Sequence, residues 1–562
     1  MRTVRRARPF LLCLLALGAC GRTHGPSPDR SEVATTSDTV VSGMQVMEPP
    51  APVAATAPPV PADGYALQRQ EEFNREQYSP IQENEFRDAA ANPLSTFAID
   101  VDAASYANVR RFILGEGRMP PRDAVRIEEL VNYFDYDYPD PRGDAPFSIT
   151  TEVAPAPWNP AHRLVHVGLQ GRRMEAASLP PANLVFLVDV SGSMDEPGKL
   201  PLLKDAFALL VDNLRPQDRV SIVAYAGAAG LVLPPTPGGA KDRIRDAIST
   251  LTPQGSTNGA EGIKLAYQLA RDAFIRGGNN RVILATDGDF NVGVSSDAEL
   301  VQLIERERQS GVFLTVLGFG TGNLQDTKME QLADKGNGNY AYVDGIDEAR
   351  RVLVVEMGGT LFTIAKDVKV QVEFNPARVK AYRLIGYENR LLAAEDFNDD
   401  RRDAGELGAG HSVTALYEVV PADAPDNPAR GTDPLRYQTP RARSSAAGSN
   451  ELLTVKLRYK APDGDASRLL AHPLVDRATP LARTSPDFRF SAAVAEWGML
   501  LRQSRFRGAA SYGAVTSLAR GAIGDDRGGY RAEFLRLVQV SQRFASREPG
   551  GDDDGEVTAL DR

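Results

Sequence analysis

The chain alternates apolar and polar residues in two places, and a differently patterned region separates them. Strict alternation buries one face of a strand and exposes the other, which is typical of antiparallel sheets in a β-sandwich. We therefore predict that strands before residue 183 pair with strands after residue 365 to form one sandwich. The alternating stretches are residues 165–169, 368–374, 413–419 and 453–459.

The region between these stretches has the continuous apolar runs of buried strands, each followed by an amphipathic helix. Such a succession predicts a doubly wound, mostly parallel α/β sheet. The fold class we expect is α/β: a Rossmann-like sheet inserted in a β-sandwich, with additional N-terminal and C-terminal helices. Strands are predicted at 184–188, 220–224, 282–285 and 312–317, and helices near 200–214, 242–251, 260–274 and 298–308. The terminal helices are predicted up to Gly115 and within 122–134, 488–504 and 529–544.

The first residues have the composition of a bacterial export signal. Arginines precede an apolar run at 10–17 that is too short to span a bilayer as a helix. Residues 17–20 (LGAC) resemble the lipobox of bacterial lipoproteins, and this resemblance implies that Cys20 is lipidated. Because Gly21 rather than aspartate follows, the resemblance also implies anchoring at the outer membrane, facing the periplasm. A plain signal peptide with an incidental cysteine is the alternative.

Composition and pattern together divide the chain into segments. Ser, Thr, Pro and Ala dominate the residues after the signal, which indicates a flexible tether. The segments are the signal peptide (1–19), the tether (20–66), an N-terminal domain with helices and the first sandwich strands (67–182), the α/β domain (183–355), sandwich strands with a long loop at 421–450 (356–485), C-terminal helices (486–546) and an acidic tail (547–562).

The charge of the chain disfavours one class of partner. The 562 residues include 74 acidic and 64 basic ones, for a net charge of -10, whereas nucleic-acid binding needs a basic face. We expect no nucleic-acid partner, and membrane contact through the lipid anchor only. The chain has two cysteines, Cys13 and Cys20, and Cys13 leaves with the signal, so the mature chain should form no intramolecular disulfide.

Oxygen-bearing side chains gather where strands of the α/β region end. Asp189 closes the first strand, and Ser191 and Ser193 follow at alternate positions, which places all three on one side of an extended segment. Asp287 closes a later strand, and Thr257 lies in a turn before a helix. In the common strand order of such sheets the first and fourth strands are neighbours, and ligands bind beyond their carboxyl ends. We therefore predict that these side chains, from three loops, converge on one point.

Converging hydroxyl and carboxylate oxygens suit a hard divalent cation. Mg²⁺ takes an octahedral oxygen shell and keeps several waters, so neutral hydroxyls with few carboxylates fit it; Mn²⁺ and Ca²⁺ stay open. Such a site leaves the ion under-neutralised, so an acidic side chain of a partner protein can complete the shell. Asp195 and Glu196 are interpreted as rim charges. The alternative is a solvated loop in which Ser191 and Ser193 cap the following helix.

The α/β region, about residues 183–355, resembles a von Willebrand factor type A domain with a complete metal-ion-dependent adhesion site. The resemblance implies that the hydroxyls and the aspartates bind the metal directly or through water. Flanking segments such as DAVRIEELVNYFDYDYP and ELLTVKLRYK are similar to a family of bacterial envelope lipoproteins, over residues 90–545. In that family the type A domain lies between an N-terminal domain and a C-terminal domain of unknown function. The matching positions are Asp189, Ser191, Ser193, Thr257 and Asp287.

Motifs of common enzyme classes are incomplete. The five histidines form no H-E-x-x-H pair, no G-x-x-x-x-G-K-[ST] loop occurs, and Gly192 before Ser193 breaks a G-x-S-x-G elbow. In GFGTGNLQD, Asn323 stands where a dinucleotide fingerprint needs its third glycine. We therefore expect a lipid-anchored, metal-dependent protein-binding module of the cell envelope and not an enzyme. A scaffold that acts through its sandwich and C-terminal domain, and a magnesium-dependent hydrolase, stay open as alternatives.

Overall fold

The structure, a computed structural model, describes most of the chain beyond residue 75. It covers residues 76–547 apart from 101, 176–177, 256–258, 289–296, 357–361, 403, 430–435, 437–441 and 463. The predicted signal peptide, Cys20 and the tether therefore lie outside the described residues. The acidic tail beyond residue 547 and parts of the predicted loop at 421–450 lie outside them as well.

Strands and helices alternate along the described part of the chain. The strands are β1 (Arg87–Asp88), β2 (Leu94–Ala98), β3 (Phe147–Ala156), β4 (Asn159–Gly171), β5 (Ala182–Asp189), β6 (Arg219–Tyr225), β7 (Ala229–Pro237), β8 (Asn279–Thr286), β9 (Val312–Phe319), β10 (Tyr340–Val343), β11 (Thr363–Phe374), β12 (Val379–Ile385), β13 (Leu391–Leu392), β14 (Leu407–Gly408), β15 (Ser412–Pro421), β16 (Glu451–Lys460) and β17 (Ser467–Val475). The α-helices are α1 (Ala104–Arg110), α2 (Ile127–Asn132), α3 (Leu200–Asn213), α4 (Lys241–Ser249), α5 (Gly259–Asp272), α6 (Asp297–Arg308), α7 (Asp326–Lys335), α8 (Ile346–Arg350), α9 (Pro486–Leu501), α10 (Tyr512–Arg520) and α11 (Tyr530–Ala545).

Early and late strands pair with one another, as the alternation predicts. β4 is antiparallel to β15, with Val165 opposite Tyr417, and β2 is antiparallel to β11, with Phe97 opposite Val370. One sheet has the order β1-β12-β15-β4-β3 and the other the order β13-β2-β11-β16-β17, with β14 beside β11. The apolar faces of both sheets share one core, and the Tyr417 hydroxyl of the first sheet donates to Ser95 Oγ of the second at 3.0 Å. The two sheets therefore form a sandwich.

The chain leaves the sandwich after β4 and returns at β11, and the α/β sheet forms in between. This sheet has the order β10-β9-β8-β5-β6-β7, and only the β6–β7 pair in it is antiparallel. Helices cover both faces: the Phe186 ring of β5 packs against Phe207 of α3 at 4.4 Å, whereas Leu187 belongs to the core that contains Ile263 of α5. The predicted class, a doubly wound and mostly parallel sheet inserted in a sandwich, is confirmed.

Two strands, β7 and β10, and two helices, α7 and α8, of the central domain were not predicted. β7 reads AGLVLPPTP, and its prolines, which cannot donate ladder hydrogen bonds, hide the strand pattern and suit its place at the sheet edge. β10 has only four residues, which are too few to show an alternation of apolar and polar positions. α7 follows the glycine-rich loop GFGTGN, which resembles an incomplete dinucleotide motif, and α8 has only five residues, too few to show a helical period.

The N-terminal and C-terminal helices pack together in one aromatic core. The ring of Phe134, just after α2, lies 4.8 Å from Phe490 of α9, and Trp497 of α9 lies 5.3 Å from Phe534 of α11. Two of the C-terminal helices were predicted; α10 was not. Among the described residues, no helix combines the length and the apolar character that crossing a membrane requires.

Candidate metal centre

Asp189 and Asp287 lie at the carboxyl ends of neighbouring parallel strands. Asp189 is the last residue of β5, Asp287 follows β8 directly, and the two strands pair with Val188 opposite Ala285. Both aspartates are buried, with 0% and 1% of their surface exposed. β8 is the fourth strand of this sheet along the chain, so the predicted neighbourhood of first and fourth strands is present.

The loop that leads to Thr257 is hydrogen-bonded to the loop after β5. Thr257 itself lies outside the described residues. The Gln254 N–H donates to the Val190 carbonyl oxygen at 2.7 Å, and the Gly192 N–H donates to the Gly255 carbonyl oxygen at 3.2 Å. Gly255 has a φ of 72°, which glycine adopts without a steric penalty. The loop after β5 and the loop that leads to Thr257 are thus held side by side up to residue 255.

The Asp189 carboxylate is held by neutral donors. Its Oδ1 accepts the Ser191 N–H at 2.9 Å, and its Oδ2 accepts the hydroxyls of Tyr225 at 3.1 Å and Thr286 at 3.2 Å. Burial raises the pKa of Asp189 to about 6; the hydrogen bonds from Ser191 and Tyr225 oppose this rise and the charge of Asp287 adds to it. A buried carboxylate without a cationic partner is electrostatically suited to take one up.

The hydroxyls of Ser191 and Ser193 face each other. Their Oγ atoms lie 3.0 Å apart. Ser191 precedes a short 3₁₀ turn, Gly192–Met194, and makes no side-chain capping bond to it, while α3 begins only after Lys199. The alternative in which these two hydroxyls cap the following helix is therefore wrong.

Lys199 belongs to this site and was missed by the sequence analysis. Its side chain is buried, and its ammonium donates to the Ser193 carbonyl oxygen at 2.9 Å, to Glu196 Oε1 at 3.1 Å and to Asp287 Oδ2 at 3.2 Å. The Glu196 side chain is 60% exposed, as a rim charge should be. A lysine between the Asp-x-Ser-x-Ser motif and a helix looks like any surface lysine, so the sequence held no signal for its burial.

Gly320, after β9, makes room for the Lys199 side chain. A Cβ built on Gly320 would lie 2.3 Å from Lys199 Cε and 2.6 Å from its Cγ, and Gly320 has a φ of 73°. The middle glycine of GFGTGN thus has a steric reason that is unrelated to nucleotide binding: it lets the lysine stem cross the end of the sheet.

The described donor set fits a divalent cation of the magnesium type. Two buried carboxylates and a pair of hydroxyls stand at the carboxyl ends of adjacent strands, and all of them are oxygen donors. Asp189 has no cation among its hydrogen-bond donors, and Lys199 neutralises only one of the two carboxylates. The set therefore retains negative charge that an ion can satisfy.

A second group of carboxylates has the spacing of a metal site, but arginine side chains already pair with its members. Ligand atoms of Asp102, Glu129 and Glu330, all buried, lie within 4.8 Å of one another. Arg126 forms an ion pair with Glu129, and Arg390 pairs with Asp102 at 3.2 Å and with Glu330 at 3.1 Å. Guanidinium groups supply here the positive charge that a metal would bring, so we interpret this group as an ionic contact between α7 and the flanking segments.

Comparison with known families divides the chain into three matched regions. Residues 72–166 match the family described as von Willebrand factor, residues 183–352 match the von Willebrand factor type A domain, and residues 359–544 match the family described as uncharacterized protein YfbK, C-terminal. The type A region contains Asp189, Lys199 and the rest of the site described above.

Similar proteins are found over most of the chain. It is 44% identical over 471 residues to the uncharacterized protein YfbK of Escherichia coli K12, which covers 83% of this chain and 80% of that protein. It is 32% identical over 173 residues to the uncharacterized protein sll0103 of Synechocystis, over 30% of this chain and 39% of that protein. A solved von Willebrand factor type A structure from Catenulispora acidiphila covers 82% of this chain and 90% of its own, at 15% identity and a TM-score of 0.36, too low to carry an argument.

Proposed function

The chain belongs to the family of the Escherichia coli protein YfbK, and from this premise we propose that it is a protein-binding module that works through a divalent cation. The cation would be held at the rim of the central sheet and would bind an acidic side chain of the partner. The observation that carries the proposal is the position of Asp189 and Asp287 at the ends of adjacent strands, beside the paired hydroxyls of Ser191 and Ser193.

Each described residue has a defined task in this proposal. Asp189 and the two serine hydroxyls would hold the cation, Asp287 would hold it directly or through water, and Thr257, by resemblance, would add a third hydroxyl. The cation, Mg²⁺ or alternatively Mn²⁺ or Ca²⁺, would supply an open coordination position. Tyr225 and Thr286 orient Asp189 through their hydrogen bonds, so that its carboxylate is fixed before the ion arrives.

The test of metal binding is a pair of aspartate variants. Asp189→Ala in the full chain, purified in detergent, should lose Mg²⁺ binding in titration calorimetry. Asp195→Ala, which removes an exposed carboxylate six positions later, should bind as the unmodified chain does. Equal Mg²⁺ uptake by the unmodified chain and Asp189→Ala would refute the proposal.

The test of partner binding compares envelope extracts with Mg²⁺ and with chelator. Partners captured by the unmodified chain in Mg²⁺ should be lost in EDTA and lost with Asp189→Ala. If the same partners remain in all three cases, the chain acts as a scaffold through its sandwich and C-terminal helices.

We further propose that the chain is lipid-anchored at Cys20 in the outer membrane and faces the periplasm. The basis is the lipobox-like LGAC and the glycine that follows it. Cys20→Ala should release the protein from the membrane fraction and abolish its labelling by radioactive palmitate; retention of both would contradict the anchor.

A further inference from the structure

Lys199 places a positive charge beside the candidate metal ligands, and this inference rests on the function proposed above. We propose that Lys199 is a fixed counter-charge of the metal centre, which weakens the hold on the cation and strengthens the hold on the partner's carboxylate.

All three N–H donors of the Lys199 ammonium have acceptors within the site. An ammonium has three N–H donors, and the three acceptors of Lys199 are the Ser193 carbonyl oxygen, Glu196 Oε1 and Asp287 Oδ2, at 2.9, 3.1 and 3.2 Å. The residue is 1% exposed. Lys199 therefore does not reach out to a partner, and its influence on a ligand acts through its charge.

Two features secure the position of this charge. Lys199 precedes Leu200, the first residue of α3, so its backbone is part of the helix start. Its stem crosses Gly320, where any side chain would collide with it at 2.3 Å. The lysine stem thus occupies a place that only a glycine at position 320 leaves free.

The charges of the described site explain the consequence. The two buried carboxylates, Asp189 and Asp287, carry two negative charges, and Lys199 offsets one of them. Glu196, which Lys199 also bonds, has a side chain that is 60% exposed, so water and salt screen its charge. Among these buried groups, a divalent cation then leaves an excess of one positive charge, whereas without Lys199 the two buried carboxylates would neutralise the same ion in full. The excess repels the cation itself and attracts a carboxylate that approaches its open position.

Lys199 therefore acts in opposite directions on the two binding steps. By pairing with Asp287 it lowers the negative charge that this carboxylate offers to the cation. A residue that only tied the loops together would support both steps, and its loss would weaken both. The two roles can thus be separated by measuring the cation and the carboxylate independently.

The experiment compares Lys199→Met with Lys204→Met in the full chain. Lys204 lies on α3, five positions after Lys199, and its ammonium bonds the exposed Ser249 carbonyl oxygen. Its variant therefore makes the same change in net charge outside the site. In titration calorimetry Lys199→Met should bind Mg²⁺ about tenfold more tightly than the unmodified chain, and Lys204→Met should not differ from it. With Mn²⁺ bound, water-proton relaxation should report about threefold or greater weakening of acetate binding in Lys199→Met alone.

Other outcomes overturn the inference. Weaker binding of both Mg²⁺ and acetate would make Lys199 a structural tie, and unchanged binding of both would leave it without a role. Lys199→Gln, which is also neutral but keeps an N–H donor, replaces the methionine variant if circular dichroism shows that the latter does not fold. If the unmodified chain itself binds no Mg²⁺, the proposed function fails first and the counter-charge with it.

Discussion

Two buried carboxylates on strands of this protein have opposite surroundings: Glu418 in the sandwich has cationic partners, and Asp189 in the central sheet has neutral ones. Glu418, on β15, accepts hydrogen bonds from His162 Nδ1 at 2.6 Å, from Arg383 at 2.8 Å and from the Trp158 indole at 3.0 Å. Burial alone would raise the pKa of Glu418, but the hydrogen bond from His162 and the charge of Arg383 hold it below its usual value.

Asp189 is equally buried, but its hydrogen-bond donors are neutral, a backbone N–H and hydroxyls. Its pKa rises to about 6 because burial is not offset by a cation. The comparison separates two uses of a buried charge. The chain supplies cationic partners to Glu418, which stabilises the sandwich, whereas the described hydrogen-bond donors of Asp189 are neutral, and this suits the ion proposed above.

The largest loss of stability is expected from a change at Glu418, the carboxylate that has cationic partners. Glu418→Gln leaves Arg383 buried without its partner, so the free energy of unfolding should fall by about 3 to 5 kcal/mol. Because the folded-state pKa of Glu418 is lowered, its contribution is complete above the unfolded pKa of about 4.5 and is lost as the pH falls through the folded value. The deficit of the variant should therefore shrink on acidification.

Denaturant titration measures the Glu418 effect. Glu373→Gln makes the same change on an exposed part of β11, where the pair with Lys456 is at the surface, and should cost less than about 1 kcal/mol. Equal midpoints for the two variants would show that Glu418 is not a structural ion pair.

Magnesium should stabilise the protein through Asp189 and not through Glu418. At about 100 times its dissociation constant the ion should add about 2.7 kcal/mol to the free energy of unfolding of the unmodified chain. Thermal unfolding should show the same gain in Glu418→Gln, since the sites are separate, and none in Asp189→Asn. A gain that persists in Asp189→Asn would place the ion elsewhere.

Removing the charge of Asp189 should stabilise the metal-free protein. In EDTA at about pH 7, Asp189→Asn should be more stable than the unmodified chain by about 1 to 2 kcal/mol, because a buried and unpaired charge is lost. A raised folded-state pKa means that stability falls as the pH rises from about 4 to about 6, so the advantage should be complete above about pH 6 and vanish near about pH 4. Asp195→Asn should show neither effect, and a destabilised Asp189→Asn would break the contrast with Glu418.

The smallest effect concerns the hydroxyls that orient Asp189. Tyr225→Phe removes the donor at 3.1 Å and should cost about 1 kcal/mol in the metal-free protein. Tyr267→Phe is the matched control, because the buried Tyr267 hydroxyl has no hydrogen-bond partner among the described residues. Urea midpoints that coincide for the two variants would show that Tyr225 does not support the charge on Asp189.

The sequence predicted the place of Asp189 better than that of Glu418, and the reason is physical. Asp189 ends a buried strand in a sheet whose order follows a general rule, so its position could be inferred from local pattern alone. Glu418 stands at a polar position of the alternating strand β15, between the apolar positions Tyr417 and Val419. Alternation predicts that the face with the polar positions is exposed to water. Glu418 is buried because other parts of the chain cover it, as the contact of Arg383 with Met499 of α9 shows.

Lys199 escaped prediction for the same reason. Its burial depends on Gly320 and Asp287, which lie far away in sequence, and no periodicity connects them. Short elements such as β10 and the proline-containing β7 were missed because their patterns are too brief or interrupted. Local patterns thus predict the face of a strand or helix on which a residue lies. Packing between segments that are distant in sequence decides whether that face is buried and which residues contact it.

The insertion of the central domain between β4 and β11 also sets an order in which the two parts can fold as the chain emerges from its N-terminus onward. β5 to β10 come from one continuous stretch, so the central domain can fold without the strands that follow it. β4, in contrast, must wait for β15 before its second edge is covered. A chain truncated near residue 355 would therefore carry all strands of the central sheet beside half a sandwich, whose open strand edges can pair with other chains.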